Sequence, residues 1–126
     1  MTGETILVVE DEGLIALHLT ELLEEAGYQV SGPAYSGEMV LKEIGTSPLP
    51  ALVLMDIALA GSLDGIETAR RIRQRYPVPI IFLSAYSSQN RIDEAMKVSS
   101  DGYLMKPVMR EDLLTSIRTV LDKKCS

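Results

Sequence analysis

Short apolar runs alternate with longer amphipathic segments along the whole of this 126-residue chain, and this alternation constrains the fold more than any other feature. The runs around Leu7, Val53 and Ile81 are almost uninterrupted in apolar residues, which is typical of strands covered on both faces. The segments between the runs carry apolar residues at spacings of three and four, which is typical of helices that bury one face. The pattern therefore predicts one α/β domain, a doubly wound parallel sheet of five strands with five helices.

Capping residues and glycines set the predicted boundaries. Gly27 and Gly45 end the first two helices, and Asp64 with Glu67 three residues later forms the pattern of a capping box. The predicted strands span 5–10, 29–34, 51–56, 80–84 and 102–105, and the predicted helices span 13–26, 36–45, 64–76, 89–98 and 109–123. The helix residues predicted to face the sheet include Ile15, Leu19, Leu22, Ala26, Ile92, Ala95, Met96, Leu113, Ile117, Val120 and Leu121.

Composition excludes several classes of protein. A hydrophobic content of 46% suits a compact fold, and a net charge of −6 argues against direct nucleic-acid binding. No apolar run approaches the ~20 residues that span a bilayer, and the first residues lack the pattern of a signal peptide. Cys125 is the only cysteine, so no intrachain disulfide forms. We therefore expect a cytoplasmic protein without a membrane or nucleic-acid partner.

Polar side chains follow four of the five predicted strands. Glu10 and Asp11 are adjacent at the end of the first strand, Asp56 ends the third, Ser84 ends the fourth and Lys106 follows the fifth. Ligands of an open parallel sheet bind beyond the carboxyl ends of its strands. In the flavodoxin-like strand order 2-1-3-4-5, strands 1 and 3 are neighbours, so the three carboxylates are expected to lie together.

These residue types suit the chemistry of a phosphoryl group. Three carboxylates held close repel one another unless a cation lies among them, and oxygen ligands of this number suit Mg²⁺. A lysine and a serine can donate to phosphoryl oxygens, and an aspartate can act as a nucleophile that forms an aspartyl-phosphate. The alternative is that Glu10 and Asp11 only cap the first helix, since helix starts favour negative charge, and that Asp56 only caps a loop.

The sequence resembles the receiver domain of two-component response regulators. The resemblance covers residues 4–123 as a single receiver domain, and it rests on the order and spacing of five stretches rather than on any one motif. These stretches are Ile6-Leu7-Val8-Val9-Glu10-Asp11-Glu12, Leu54-Met55-Asp56, Asp64-Gly65-Ile66-Glu67, Phe82-Leu83-Ser84-Ala85 and Gly102-Tyr103-Leu104-Met105-Lys106-Pro107.

The resemblance implies a role for each residue of the group. Asp56 would be the phosphoacceptor, and Ser84 and Lys106 would each bind a phosphoryl oxygen. Tyr103 matches the aromatic residue that changes rotamer when Ser84 is drawn to the phosphoryl group. The peptide bond between Lys106 and Pro107 would be cis.

The resemblance also implies Mg²⁺ as the cofactor. Asp11 and Asp56 would bind the ion directly, Glu10 would act mostly through water, and Ala58 would offer its backbone carbonyl. The domain would catalyse its own phosphorylation and dephosphorylation without being an enzyme for an external substrate. Its partners would be a histidine kinase or phosphotransfer protein, and a downstream protein or a second copy that reads the face of helix 4, strand 5 and helix 5.

The chain departs from the usual receiver pattern in three places. The loop over 57–65 lacks the usual proline and is one residue longer than the commonest form, and Ser84 stands where threonine is more frequent. Tyr86 is bulky at a position that can screen the site from water, which leads to the hypothesis of a long-lived phosphoryl group. His18, the only histidine, is expected to be an ordinary residue of the first helix.

Three other functions remain as alternatives. A Mg²⁺-dependent phosphatase with Asp56 as nucleophile usually places a second acid where this chain has Ala58. A pseudo-receiver usually lacks one of the acids or the lysine, and this chain has all of them. A flavodoxin needs a phosphate cradle after the first strand, where this chain has the acidic Glu10-Asp11-Glu12.

Overall fold

The computed structural model describes residues 3–46, 48–59, 61–85, 89–99 and 101–125. Within these ranges the chain alternates between strands and helices without interruption. The strands are β1 (Thr5–Val9), β2 (Gln29–Ala34), β3 (Leu52–Asp56), β4 (Ile80–Ser84) and β5 (Gly102–Met105). The helices are α1 (Gly13–Glu25), α2 (Gly37–Glu43), α3 (Gly65–Arg75), α4 (Gln89–Val98) and α5 (Arg110–Cys125).

The strands form one parallel sheet in the order β2-β1-β3-β4-β5, which confirms the predicted fold class and strand order. β1 lies between β2 and β3, so the chain changes direction across the sheet at the β1–β3 pair. In the register, Val9 lies opposite Met55, and Asp56 lies opposite Leu83. The last residues of these three strands therefore reach the same edge of the sheet.

Helices cover both faces of the sheet. Every residue of β3 and β4 is buried, which explains why their sequences are almost continuously apolar. On one face α2, α3 and α4 contribute Val40, Ile66, Ala69, Ile72 and Ala95. On the other face α1 and α5 contribute Leu19, Leu23, Leu113, Ile117, Val120 and Leu121.

The buried face of α1 is shifted by one residue from the predicted one. Ile15, Leu22 and Ala26 are only partly buried, at the edge of the core. An apolar stripe on a helix is about 100° wide, so two neighbouring phases fit the same sequence and contact with the sheet selects one. The fully buried residues of α1 are Ala16, Leu19 and Leu23.

Ser36 and Asp64 cap the helices that follow them, as predicted, but Glu67 does not complete the predicted capping box. The Ser36 hydroxyl accepts from the Met39 N–H at 3.1 Å, and Asp64 Oδ1 accepts from the Glu67 N–H at 2.8 Å. The Glu67 carboxylate, which a full capping box would direct back to the Asp64 backbone, instead accepts hydrogen bonds from two arginines of its own helix, Arg70 and Arg71. Asp64 therefore fixes the start of α3 through its own side chain.

Candidate functional site

The candidate site begins with backbone hydrogen bonds that continue the sheet past the ends of its strands. The Glu10 N–H donates to the Ala34 carbonyl at 2.9 Å, and the Lys106 N–H donates to the Ser84 carbonyl at 2.7 Å. The Ile57 N–H donates to the Leu83 carbonyl at 3.0 Å. The residues that carry polar side chains are thus held by the sheet itself rather than by loose loops.

Three carboxylates converge at the β1–β3 edge. One carboxylate oxygen each from Glu10, Asp11 and Asp56 lies within 4.8 Å of the other two. Glu10 and Asp56 are buried and Asp11 is partly exposed. The cluster therefore opens to solvent on the side of Asp11.

Lys106 brings a positive charge to this cluster from the other end of the chain. Its Nζ lies 2.7 Å from Glu10 Oε1 and 3.3 Å from Asp56 Oδ1. The lysine side chain is 12% exposed and that of Glu10 is 0% exposed, so water screens the pair little. The structure thus places Lys106 with the acidic residues.

The electrostatics leave the cluster short of positive charge. Burial raises the pKa of Glu10 even though the Lys106 ammonium and the Glu12 N–H both favour its charged form. Burial by itself lowers the pKa of Lys106, but its hydrogen bond to Glu10 and the charge of Asp56 reverse this and leave that pKa above its usual value. One ammonium faces three carboxylates, so a further cation fits this site.

Backbone N–H groups complete the contacts of two carboxylates. Glu10 Oε2 accepts from the Glu12 N–H at 3.1 Å, and Asp56 Oδ1 accepts from the Ala58 N–H at 3.2 Å. Glu12 is the N-cap residue of α1, and its own side chain makes no capping hydrogen bond. The N-cap position of α1 is thus occupied by Glu12 rather than by Glu10 or Asp11.

Ser84 and Tyr103 lie on the two neighbouring strands. Ser84 is buried at the end of β4, one residue beyond Leu83, which pairs with Asp56. Tyr103 lies opposite Phe82 and is partly buried, and its hydroxyl is buried without a hydrogen-bond partner among the described residues. The peptide bond between Lys106 and Pro107 is cis, as the resemblance implies, and so is Gly32–Pro33, which the sequence did not suggest.

The long loop after β3 is tied to α2. The N–H and the hydroxyl of Ser62 both donate to Glu38 in the first turn of α2, the N–H at 3.3 Å. These hydrogen bonds, the hydroxyl's first, lower the pKa of Glu38. Tyr86, to which the sequence assigned a screening role, lies outside the described residues, as does Ala60 of the loop.

Three exposed apolar residues, two on α1 and one before α5, were not predicted from the sequence. Leu14 and Leu17 of α1 are 85% and 55% exposed, and Met109 before α5 is 63% exposed. A cavity of about 300 Å³ is lined by residues that include Ile15 of α1 and Lys106 of the cluster. The available signal was two leucines three residues apart, outside the predicted buried face of α1.

Comparison with known proteins identifies the family. The sequence model of the response regulator receiver domain matches residues 6–118. The chain belongs to this family. The chain is 33% identical over 118 residues to the transcriptional regulatory protein PdtaR of Mycobacterium tuberculosis, covering 94% of this chain and 57% of that protein. It is 41% identical over 108 residues to the uncharacterized transcriptional regulatory protein YrkP of Bacillus subtilis, covering 86% and 45%.

Solved receiver domains share the fold. The signal receiver domain of a modulated diguanylate cyclase from Desulfovibrio desulfuricans superposes with a TM-score of 0.89 at 37% identity, covering 97% of this chain and 96% of that one. A CheY-like response regulator receiver domain protein from Methanospirillum hungatei gives a TM-score of 0.87 at 30% identity, covering 96% and 95%. The chain therefore has the fold of a receiver domain over nearly its whole length.

Family membership establishes the general role of the domain. Receiver domains are signalling switches of two-component systems, and they interact with histidine kinases or phosphotransfer proteins and with output domains. The chain spans about half the length of the curated relatives that it matches, 57%, 45% and 54% of three of them. Among the described helices, none combines the length and the apolar character needed to cross a bilayer.

Proposed function

We propose that this receiver domain is a phosphoacceptor switch in which Asp56 takes a phosphoryl group from a histidine kinase or phosphotransfer protein. The observation that carries the proposal is the position of Lys106 Nζ, 3.3 Å from Asp56 Oδ1, inside a cluster of three carboxylates. In this switch Lys106 binds one phosphoryl oxygen and Ser84 another. The buried surroundings strengthen both contacts, since little water competes for them.

The transfer is an in-line displacement at phosphorus. An oxygen of the Asp56 carboxylate forms the new bond to phosphorus, and the bond between phosphorus and the donor's imidazole nitrogen breaks. The electron pair of that bond returns to the ring nitrogen. The ammonium of Lys106 and the hydroxyl of Ser84 offset the charge on the transferred oxygens, which is the main catalytic demand of phosphoryl transfer.

The carboxylate cluster supports Mg²⁺ as the cofactor. Its donors are oxygens, as Mg²⁺ prefers, and the partly exposed side at Asp11 leaves room for the ion's own waters. We propose Asp11, Asp56 and the backbone carbonyl of Ala58 as direct ligands, with Glu10 acting mostly through water. When bound, Mg²⁺ supplies the positive charge that the three carboxylates lack and that a transferred phosphoryl group needs.

The output is proposed to pass through the face of α4, β5 and α5. Ser84 ends the strand that pairs with the Asp56 strand, and Tyr103 lies on the next strand, β5. Among the described residues, the buried hydroxyl of Tyr103 has no hydrogen-bond partner. Met105 of β5 is half exposed on the surface. A charge change at Asp56 thus shifts an existing equilibrium of this face, which a downstream protein or a second copy reads.

Intact-mass spectrometry after incubation with acetyl phosphate tests the proposal. We expect a gain of about 80 Da that requires Mg²⁺ and is absent in Asp56→Asn, because that variant lacks the nucleophile. Asp122→Asn is the matched control, since it removes one exposed carboxylate of α5 and is expected to label like the wild type.

Two outcomes contradict the proposal. The first is a folded wild type that gains no mass in the presence of Mg²⁺, which is the behaviour of a pseudo-receiver. The second is repeated hydrolysis of a phosphomonoester such as p-nitrophenyl phosphate in the same buffer, which is the behaviour of the alternative phosphatase.

A further inference from the structure

The two ends of α4 are attached to the rest of the domain in different ways. At the carboxyl end, the buried Ser99 Oγ lies 3.0 Å from the Ile80 carbonyl oxygen and 2.8 Å from Asp101 Oδ2, and its single proton is shared between these two acceptors. The same oxygen of Asp101 accepts from the Ile80 N–H at 3.2 Å. These hydrogen bonds join the end of α4 to the start of β4, so this end is fixed to the sheet.

The amino half of α4 is less buried than its carboxyl half. Ala95 is the one fully buried residue of α4, whose ten residues are all described, and it lies in the second half of the helix. Ile92 and Met96, which the sequence predicted to face inward, are only partly buried. Contacts across the surface between α3 and α4 therefore matter more at this end.

Arg91 makes such a contact with the first residue before α3. Its Nη2 donates to Asp64 Oδ2 at 3.0 Å, while its Nη1 donates to Glu94 Oε1 at 3.1 Å. The other oxygen of Asp64 caps α3 by accepting from the Glu67 N–H at 2.8 Å. One carboxylate thus holds the start of α3 and the first turn of α4 at once.

The start of α3 rests in turn on the candidate phosphoacceptor. The Gly65 N–H donates to the Ile57 carbonyl at 2.8 Å. A Cβ at Gly65 would lie only 2.0 Å from the backbone oxygen of Asp56, so the two backbones are in direct contact. A continuous path of contacts therefore runs from Asp56 through Gly65 and Asp64 to Arg91.

We propose that the Arg91–Asp64 ion pair is a brace that holds the amino end of α4 in place while Asp56 carries no phosphoryl group. The inference rests on the proposed function of Asp56. Because the carboxyl end of α4 is fixed at Ser99, the helix pivots about that end once the brace at its amino end is released. Phosphorylation at Asp56 shifts the start of α3, weakens the brace and frees the amino end of α4, which carries the signal to the output face.

The brace is expected to shift the equilibrium between the two positions of α4 by a moderate factor. The Arg91 and Asp64 side chains are 38% and 40% exposed, so water and salt screen their attraction. The loss of an ion pair of this exposure shifts a two-state equilibrium by about two- to fivefold. Arg91 is therefore a positioning residue, and its removal is expected to change populations without disabling the site.

The test compares two variants that break the brace with one that does not. Arg91→Gln removes the positive charge, and Asp64→Asn removes the negative charge while asparagine still caps the helix. Arg71→Gln is the charge control, because Arg71 pairs with Glu67 of its own helix. The measurements are amide hydrogen exchange of α4 in unmodified protein and the rate of labelling by acetyl phosphate with Mg²⁺.

We expect both brace variants to exchange the amides of residues 93–95 about two- to fivefold faster, with no change at Ser99, whose N–H bonds to Ala95. Labelling should accelerate by a similar factor, and the double variant should not exceed either single one. Arg71→Gln should match the wild type in both measurements.

The inference is overturned if Arg91→Gln and Asp64→Asn match the wild type, if Arg71→Gln has the same effect as they do, or if their effects add in the double variant. If the wild type takes up no phosphoryl group, the proposed function fails first and this inference falls with it. If the wild type labels normally and the brace variants behave like it, only the brace is wrong.

Discussion

Two ion pairs in this domain have nearly the same length and very different surroundings. Lys106 and Glu10 lie 2.7 Å apart at the sheet edge, with side chains 12% and 0% exposed. Arg91 and Asp64 lie 3.0 Å apart on the surface between α3 and α4, with side chains that are each more than a third exposed. Burial rather than distance therefore separates a pair that must stay formed from one that can break and re-form.

The largest expected effect is that of Lys106→Met. The substitution leaves Glu10 and Asp56 buried beside each other without a cation, and the free energy of unfolding should fall by roughly 2–4 kcal/mol. Lys97→Met on α4 is the control, since Lys97 is exposed and its removal should stay within about 0.5 kcal/mol. Urea denaturation measures the free energy of unfolding of both variants. Equal losses in the two variants would contradict the burial of the Lys106–Glu10 pair.

Mg²⁺ should stabilise the sheet edge without acting on the α3–α4 surface. At a hundredfold excess over its Kd, a ligand that binds only the folded state raises the free energy of unfolding by about 2.7 kcal/mol. Thermal unfolding with and without MgCl₂, at equal ionic strength in NaCl, measures this gain. Asp11→Asn should lose most of it, and an equal gain in that variant would place the ion elsewhere.

The backbone contact between Gly65 and Asp56 can be tested by adding a single carbon atom at Gly65. A Cβ at Gly65 would lie 2.0 Å from a backbone oxygen, so Gly65→Ala should lower the free energy of unfolding by about 1–3 kcal/mol. Gly13→Ala is the matched control, because a Cβ at Gly13, the first residue of α1, would meet no atom within 4 Å.

The control should be neutral or stabilising by up to about 1 kcal/mol, since alanine restricts the unfolded chain more than glycine does. Urea denaturation of both variants measures the difference. A Gly65→Ala variant as stable as Gly13→Ala would mean that the start of α3 does not rest on Asp56, and the path to Arg91 would lose its first step.

The smallest effect should come from Arg91→Gln. We expect its free energy of unfolding to fall by less than about 1 kcal/mol at low salt, and the difference from wild type to vanish near 1 M NaCl, where the Debye length is about 3 Å. The loss caused by Lys106→Met should persist at the same salt concentration. A salt-independent effect of Arg91→Gln would contradict the surface character of its pair with Asp64.

The sequence predicted the fold closely because local signals and the global pattern agree. All five strands lie within one residue of their predicted bounds, and Ser36 and Asp64 cap the helices that they were expected to cap. The carboxylate cluster was also predictable. Parallel strands place their carboxyl ends at one edge, so Glu10, Asp11 and Asp56 had to meet once β1 and β3 were neighbours.

Other features depend on contacts between distant parts of the chain. Periodicity did not distinguish Ala16 and Leu23 as the fully buried residues of α1, because neighbouring phases of an apolar stripe look alike in sequence. The exposed Leu14 and Leu17 show the same difficulty, since an apolar residue predicts burial whether or not another element covers it.

By itself, the sequence determined that this chain is a parallel α/β receiver domain with acids, a hydroxyl and a lysine at one edge of the sheet. Periodicity and strand ends are local properties, and they are repeated along the chain often enough to leave one topology. The tertiary structure alone decided that Lys106 pairs with Glu10, 96 residues away, and that Arg91 pairs with Asp64, 27 residues away. Side chains far apart in sequence carry no periodic signal, so only the packed fold shows which charges meet and how much water reaches them.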